Sequence, residues 1–392
     1  MFWQERDLLR AAGHNVLEYQ RSNRELEHYS PLRRMSLVGR TVWAPDSHRE
    51  FTALLRKHRP DIVHVHNTFP LISPSVYWAC RGEQVPVVQT LHNYRLFCPG
   101  ANCFRAGRPC EDCIDGNFWQ GAAHGCYRGS RTQTAAVALM LAVHHAHKTW
   151  TRMVDRYIVL TAFARSRFVK AGLPAEKITV KPNCVNPDPG KRQGKGSYAL
   201  FVGRVSQEKG AHTLLRAWRR LPSAFSLRIA GDGPSSAQLE SEVRAQNLSN
   251  VTFLGRLPRE QVIAAMKNAR FVIFPSELYE NLPLTIIEAF ACGVPVLASN
   301  LGAMQEIVED GSTGLFFQPG DAEDLARTVT RALEQPEYVC RLGEQARKEY
   351  EAKYTASEDC RRLLEIYQRV ITERQPQTGQ AVADNLEETP SA

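Results

Sequence analysis

The chain has 392 residues, 43% of them hydrophobic and 23% charged, with a formal net charge of +8. That length allows two domains with full apolar cores, and the composition excludes collagen, coiled coil and wholesale disorder. The longest apolar stretch, around Ala135 to Val143, is far short of the roughly 18 residues a membrane span needs. The start, Met1-Phe2-Trp3-Gln4-Glu5-Arg6-Asp7, has no apolar signal-peptide core, so a cytoplasmic chain with reduced thiols is expected. Charge is uneven: residues 1–196 carry 28 Lys and Arg against 15 Asp and Glu, and residues 197–392 carry 21 against 26. A basic first half suits an anionic membrane surface or a phosphorylated substrate; scattered solvated arginine is the plainer reading. No motif points to nucleic acid.

In chain order, Phe2 to His14 reads as a helix leading into a strand at Asn15–Tyr19. Further strands are expected at Asp61–His66, Val85–Thr90 and Arg156–Leu160, from their short length and β-branched content, with helices at Phe51–His58 and Ala162–Ala171 between and after them. Alternating strand and helix predicts a parallel sheet covered on both faces. Composition shifts to Pro, Asn, Gly and Lys around Lys181–Lys191, which reads as a linker. The rhythm then restarts, with strands at Tyr198–Gly203, Ser226–Gly231, Val251–Gly255, Phe271–Phe274 and Val294–Ala298. Leu342 to Glu373 is helical by pattern, and the polar tail from Gln375 is expected to be disordered. The expected organisation is α/β: domain 1–182, linker 183–197, domain 198–350, a helix 351–374 returning to the first domain, and tail 375–392. Two doubly wound domains leave a cleft at the carboxyl ends of their strands.

Three motifs carry chemistry. In Glu280-Asn281-Leu282-Pro283-Leu284-Thr285-Ile286-Ile287-Glu288, two carboxylates stand eight residues apart, the first in a turn and the second inside the helix that follows. A helix N-terminus offers free N–H groups suited to a diphosphate, and flanking carboxylates accept from sugar hydroxyls. The plain alternative is a dipole-favoured glutamate and an exposed one. In Gly203-Arg204-Val205-Ser206-Gln207-Glu208-Lys209-Gly210, a strand ends in glycine before a basic pair, a fork and a point charge for phosphate oxygens. Surface charge is the alternative. His92, in Thr90-Leu91-His92-Asn93, ends a first-domain strand; such a histidine is either structural or a sugar contact.

Together, with Ala291-Cys292-Gly293-Val294-Pro295-Val296 and Gly311-Ser312-Thr313-Gly314-Leu315, these motifs resemble the family 4 glycosyltransferases of the GT-B fold, from Gln4 to about Glu373. The resemblance implies two Rossmann-like domains facing across a cleft, a nucleoside-diphosphate sugar donor, and a glycan or lipid-linked acceptor in cell-surface polysaccharide synthesis. It implies that Arg204 and Lys209 bind the diphosphate and that Glu288 accepts from the nucleotide's ribose. Glu280 and His92 would contact the transferred sugar, and the family retains anomeric configuration. Backbone amides near Leu284 and Thr285 would stabilise the leaving group; Pro283 has no N–H. No Asp-x-Asp triplet occurs, so no metal is expected at the donor site. The first strand and glycine-rich loop of the family are absent ahead of Phe2. That absence predicts either a longer native product or a catalytically impaired protein that still binds a nucleotide sugar. An oxidoreductase is disfavoured, because no strand is followed by G-x-G-x-x-G; an epimerase would act without an acceptor.

Cys98, Cys103, Cys110, Cys113 and Cys126 fall within 29 residues. Cys110 and Cys113 have zinc-knuckle spacing, and Cys98 and Cys126 complete a four-thiolate structural site, with Cys103 spare. A redox disulfide, an iron–sulfur cluster and free thiols are the alternatives. The loop follows His92, so it is expected on the acceptor side.

Overall fold

The computed structural model describes residues 2–22, 24–25 and 36–374, and the tail expected to be disordered lies outside them. Among the described residues twelve strands form: β1 Val63–Val65, β2 Val87–Thr90, β3 Phe104–Arg105, β4 Arg108–Pro109, β5 Arg156–Val159, β6 Ile178–Val180, β7 Tyr198–Val202, β8 Leu227–Ala230, β9 Val251–Gly255, β10 Ala269–Phe274, β11 Val296–Ser299 and β12 Gly314–Phe317. A four-stranded sheet runs β1-β2-β5-β6 and a six-stranded one β12-β11-β10-β7-β8-β9; every pairing in both is parallel.

Parallel sheets need apolar cover on both faces, and alternate residues of each strand supply it. In the second sheet, Phe201, Ile229, Phe271, Ile273 and Leu297 pack on one face. Leu200, Val272, Phe274, Val296 and Ala298 pack on the other. In the first sheet, Val87, Tyr157 and Val159 face one core, while Val88 and Ile158 meet Leu363, Ile366, Tyr367 and Val370. Those four belong to the helix Ala356–Arg374, so the end of the described chain covers the first sheet. The helical stretch expected from Leu342 onward is two helices, Pro336–Lys353 and Ala356–Arg374. Among the described residues no helix is long and apolar enough to cross a membrane.

One expectation fails. Asn15–Tyr19 forms no strand: among the described residues no strand pairs with the outer edge of β1, so this segment has no ladder to join. The chain entering the segment read as a linker is buried. Lys181 and Asn183 are buried, and Lys181 Nζ lies 2.6 Å from Asp359 Oδ1 and 3.4 Å from Glu5 Oε1. The polar composition there serves a buried ion-pair cluster.

Candidate active site

The order of the second sheet reverses between β7 and β10, the neighbours in space that start its two halves. Ligands of doubly wound sheets bind at that switch point, outside the carboxyl ends of the strands. The two loops leaving it carry the basic pair and Glu280, and the helix after the second loop carries Glu288. Backbone packs directly on backbone there. A Cβ on Gly210, whose φ is +71°, would stand 1.8 Å from the Pro275 carbonyl, and one on Gly233 would stand 2.3 Å from that of Val205. Only glycine allows the two approaches.

Lys209 Nζ lies 2.5 Å from Glu280 Oε1, and Ser276 Oγ donates to the same oxygen at 2.7 Å. Glu280 is 9% exposed. Arg204 is exposed and makes no hydrogen bond or ion pair among the described residues. The helix Leu284–Ala291 starts after Pro283 with no side-chain cap, so the Leu284 and Thr285 amides at its first turn are open to a ligand. Glu288 lies further along it. Burial raises its carboxyl, with the Arg259 charge opposing, and Arg259 Nε is 3.7 Å away.

The first domain meets this site directly. Asn281 Nδ2 donates to the Leu91 carbonyl at 2.6 Å, and Tyr94 OH donates to the Glu280 carbonyl at 3.1 Å. His92 lies between Leu91 and Tyr94, so these bonds bring it to the Glu280 turn. It borders a hollow of about 30 Å³ lined by His66, Thr90, Asn93 and Arg95. Burial pushes its pKa down to about 4, so the ring is neutral at pH 7. A separate concavity of about 350 Å³, between Leu96, His145, Trp150 and Phe168, carries no carboxylate and shares only Leu96 and Trp150 with that hollow. Sequence reasoning missed Ser276, Tyr94, Asn281 and His66.

Cys98, Cys103, Cys110, Cys113 and Cys126 belong to the loop after His92, folded around the β3–β4 hairpin. At the hairpin turn, a Cβ on Gly107 would stand 3.5 Å from Gln207 Nε2, so the loop reaches the donor-side loop after β7. Cys98 is pushed down to about 6 by the Cys103 thiol and by the amides of Cys103, Ala101 and Gly100, against burial. No three of these sulfurs lie within 4.8 Å of one another, whereas a closed zinc site with Zn–S near 2.3 Å holds them about 3.8 Å apart. The expected ligands Cys98, Cys110, Cys113 and Cys126 therefore share a loop without forming a preassembled tetrahedron.

Two family models match in succession: Glycosyltransferase Family 4 over residues 6–189 and Glycosyl transferases group 1 over residues 186–349. A 2-deoxystreptamine glucosyltransferase of Streptomyces kanamyceticus is 30% identical over 310 residues, 76% of this chain and 75% of the relative. The chain belongs to the family 4 glycosyltransferases. A glycogen synthase of Mycobacterium tuberculosis is 28% identical to this glycosyltransferase over 333 residues, 82% of the chain and 72% of the synthase. Anabaena HepE, solved in complex with UDP, superposes with a TM-score of 0.63 at 18% identity, over 82% of each chain. The fold of this glycosyltransferase is GT-B.

Proposed function

We propose that this glycosyltransferase moves a sugar from a nucleoside-diphosphate sugar to a glycan or lipid-linked acceptor, with retention of configuration and no metal at the donor site. The Lys209–Glu280 pair at the switch point, facing His92 across the cleft, carries the reading. HepE, similar in fold, was solved with UDP, which supports a nucleotide donor. In the reaction the glycosidic C–O bond to the diphosphate breaks and negative charge grows on the leaving phosphate. Arg204, Lys209 and the amides of Leu284 and Thr285 stabilise that charge. An ammonium has three donors, so Lys209 serves a phosphate without releasing Glu280. Glu288 accepts from ribose hydroxyls. Glu280 and His92 hold the sugar from opposite sides. Glu280 Oε1 is already engaged by two donors, which suits binding of hydroxyls better than attack on carbon. The acceptor hydroxyl then attacks from the face the diphosphate leaves, forming the new C–O bond as its proton passes to the departing phosphate oxygen. The basic first half suits work at the cytoplasmic face of a membrane in envelope polysaccharide synthesis.

The test is incubation with UDP-, GDP- and ADP-sugars and glycan acceptors, with and without a chelator. Release of nucleoside diphosphate with a product of the donor's anomeric configuration, insensitive to the chelator, is expected. Inverted product or strict metal dependence overturns the mechanism, and no consumption of any donor overturns the activity.

The thiol loop is proposed to take a structural zinc through Cys98, Cys110, Cys113 and Cys126. Its support is the Cys103 thiol and the amides that favour a Cys98 thiolate, together with the nearness of Cys113 and Cys126, which burial first and that charge next push up. The sulfurs must draw together to hold the ion. About one zinc per purified chain, released in Cys113→Ser, is expected; no metal and five titrating thiols in this loop reject it.

A further inference from the structure

Four groups behind His92 have no role in the reaction as derived: the buried Glu5 and Lys181 and the part-buried His64 and His66. Glu5, on the helix Phe2–Ala11, is 2% exposed. Its Oε2 lies 3.1 Å from His66 Nε2, and its Oε1 lies 3.4 Å from Lys181 Nζ. His66 Nδ1 is 2.9 Å from His92 Nε2, with the ring centroids 5.2 Å apart and the planes within 10° of each other, so the rings lie edge to edge. His64 is engaged at both nitrogens, with Tyr367 OH at 2.6 Å and Thr90 Oγ1 at 2.7 Å. Asp359 holds Lys181 from the helix Ala356–Arg374.

The direction of each bond follows from what its partner can do. Burial pushes the Glu5 carboxyl up, but His66 at 3.1 Å and the Lys181 charge help overcome it and hold Glu5 well below the usual carboxylate range. An ionised carboxylate only accepts, so His66 Nε2 carries a proton. In a neutral ring Nδ1 is then bare and accepts. With a single proton on the His66 ring, at Nε2, the proton between the two rings sits on His92 Nε2, and the free nitrogen of His92 is Nδ1, without a proton. We propose that Glu5 and His66 are positioning residues that lock His92 in the Nε2-protonated tautomer, so that it meets the sugar as an acceptor for a hydroxyl. This rests on the reading of His92 as a sugar contact. It makes the contact selective, since a bare ring nitrogen recognises a hydroxyl and gains nothing from an ether or phosphate oxygen.

Glu5, His64 and His66 also bring ligand atoms within 4.8 Å of one another, as a metal site would. Both His64 nitrogens are already bonded to hydroxyls and Lys181 stands beside Glu5, which favours the proton chain over a cation.

The experiment uses the full chain labelled with ¹⁵N-histidine and long-range ¹H–¹⁵N spectra at pH 7.5, with His92 and His66 assigned from their loss in His92→Gln and His66→Leu. Both rings are expected neutral, protonated at Nε2 and bare at Nδ1. His66→Leu and Glu5→Ala should release the His92 tautomer to a mixture. His66→Asn, which supplies an amide oxygen near the lost Nδ1, should restore it. In the transfer assay His66→Leu should lower kcat at least tenfold with nucleoside diphosphate affinity changed less than twofold, and His66→Asn should recover most of the rate. A His92 proton on Nδ1, an imidazolium at either ring, a tautomer unmoved in His66→Leu, or stoichiometric metal at this cluster overturns the proposal. If Glu5→Ala fails to fold, the wild-type spectrum decides, because a His66 ring without a proton on Nε2 removes Glu5 from the chain. A chain that consumes no nucleotide sugar refutes the proposed activity and leaves the spectra to judge the tautomer.

Discussion

Histidines 64 and 92 are held neutral chiefly by burial, their pKa values falling from 6.5 to about 3 and about 4. Unfolding returns both toward 6.5, so between pH 6.5 and about 4 the unfolded chain binds more protons than the folded one. Stability rises with pH wherever that holds, so acidification through this window destabilises the fold. Glu5, held low, adds a further loss below its ordinary value of 4.5. Thermal melts should therefore show Tm declining steadily from pH 7.5 to pH 5, and His92→Gln should flatten the decline. A Tm that holds or rises contradicts the buried neutral pair. At this scale the glutamates, Lys209 and His92 were legible, because strand-end loops and a helix start announce themselves locally. Tyr94 and Asn281 were not, because their partners lie 186 and 190 residues away and no periodicity encodes such a pairing.

The element that joins the two ends of the described chain is the helix Ala356–Arg374. Its Leu363, Ile366 and Val370 cover Val88 and Ile158 of the first sheet, and its Asp359 neutralises Lys181, which is 1% exposed. Removing one partner of a buried ion pair costs about 3–5 kcal/mol. Asp359→Asn should cost that much in denaturant unfolding, more than Glu358→Gln, whose ion pairs are on the surface; a loss below about 1 kcal/mol would show Lys181 paired well enough by Glu5 alone. The apolar spacing of this helix was readable, and so were β2, β5 and β7 to β11. The three residues of β6 and the edge strand β12 were too short or too marginal to stand out. The burial of Lys181 was not readable, because the carboxylates that pair with it come from residues 5 and 359.

For the whole molecule, the strand order β12-β11-β10-β7-β8-β9 explains why the basic loop and the two glutamates, 71 residues apart at Lys209 and Glu280, share one site. Adjacent parallel strands at the switch point send their loops to the same end of the sheet. The first domain closes that end through Leu91, Tyr94 and the turn around Gly107. Two restarts of the α/β rhythm made this architecture visible in the sequence. The contact between the halves was not, because it is made by single side chains on irregular loops. The central claim, a nucleoside diphosphate held between the β7 and β10 loops, is tested most directly by calorimetric titration of UDP, GDP and ADP into the full chain and into Lys209→Ala and Glu288→Gln. The account predicts that one of the three binds. It also predicts that each substitution weakens binding roughly tenfold to a hundredfold, the loss of a charge-assisted hydrogen bond of about 1.5–3 kcal/mol. Affinity unchanged in both variants, or no binding of any of the three, would contradict it.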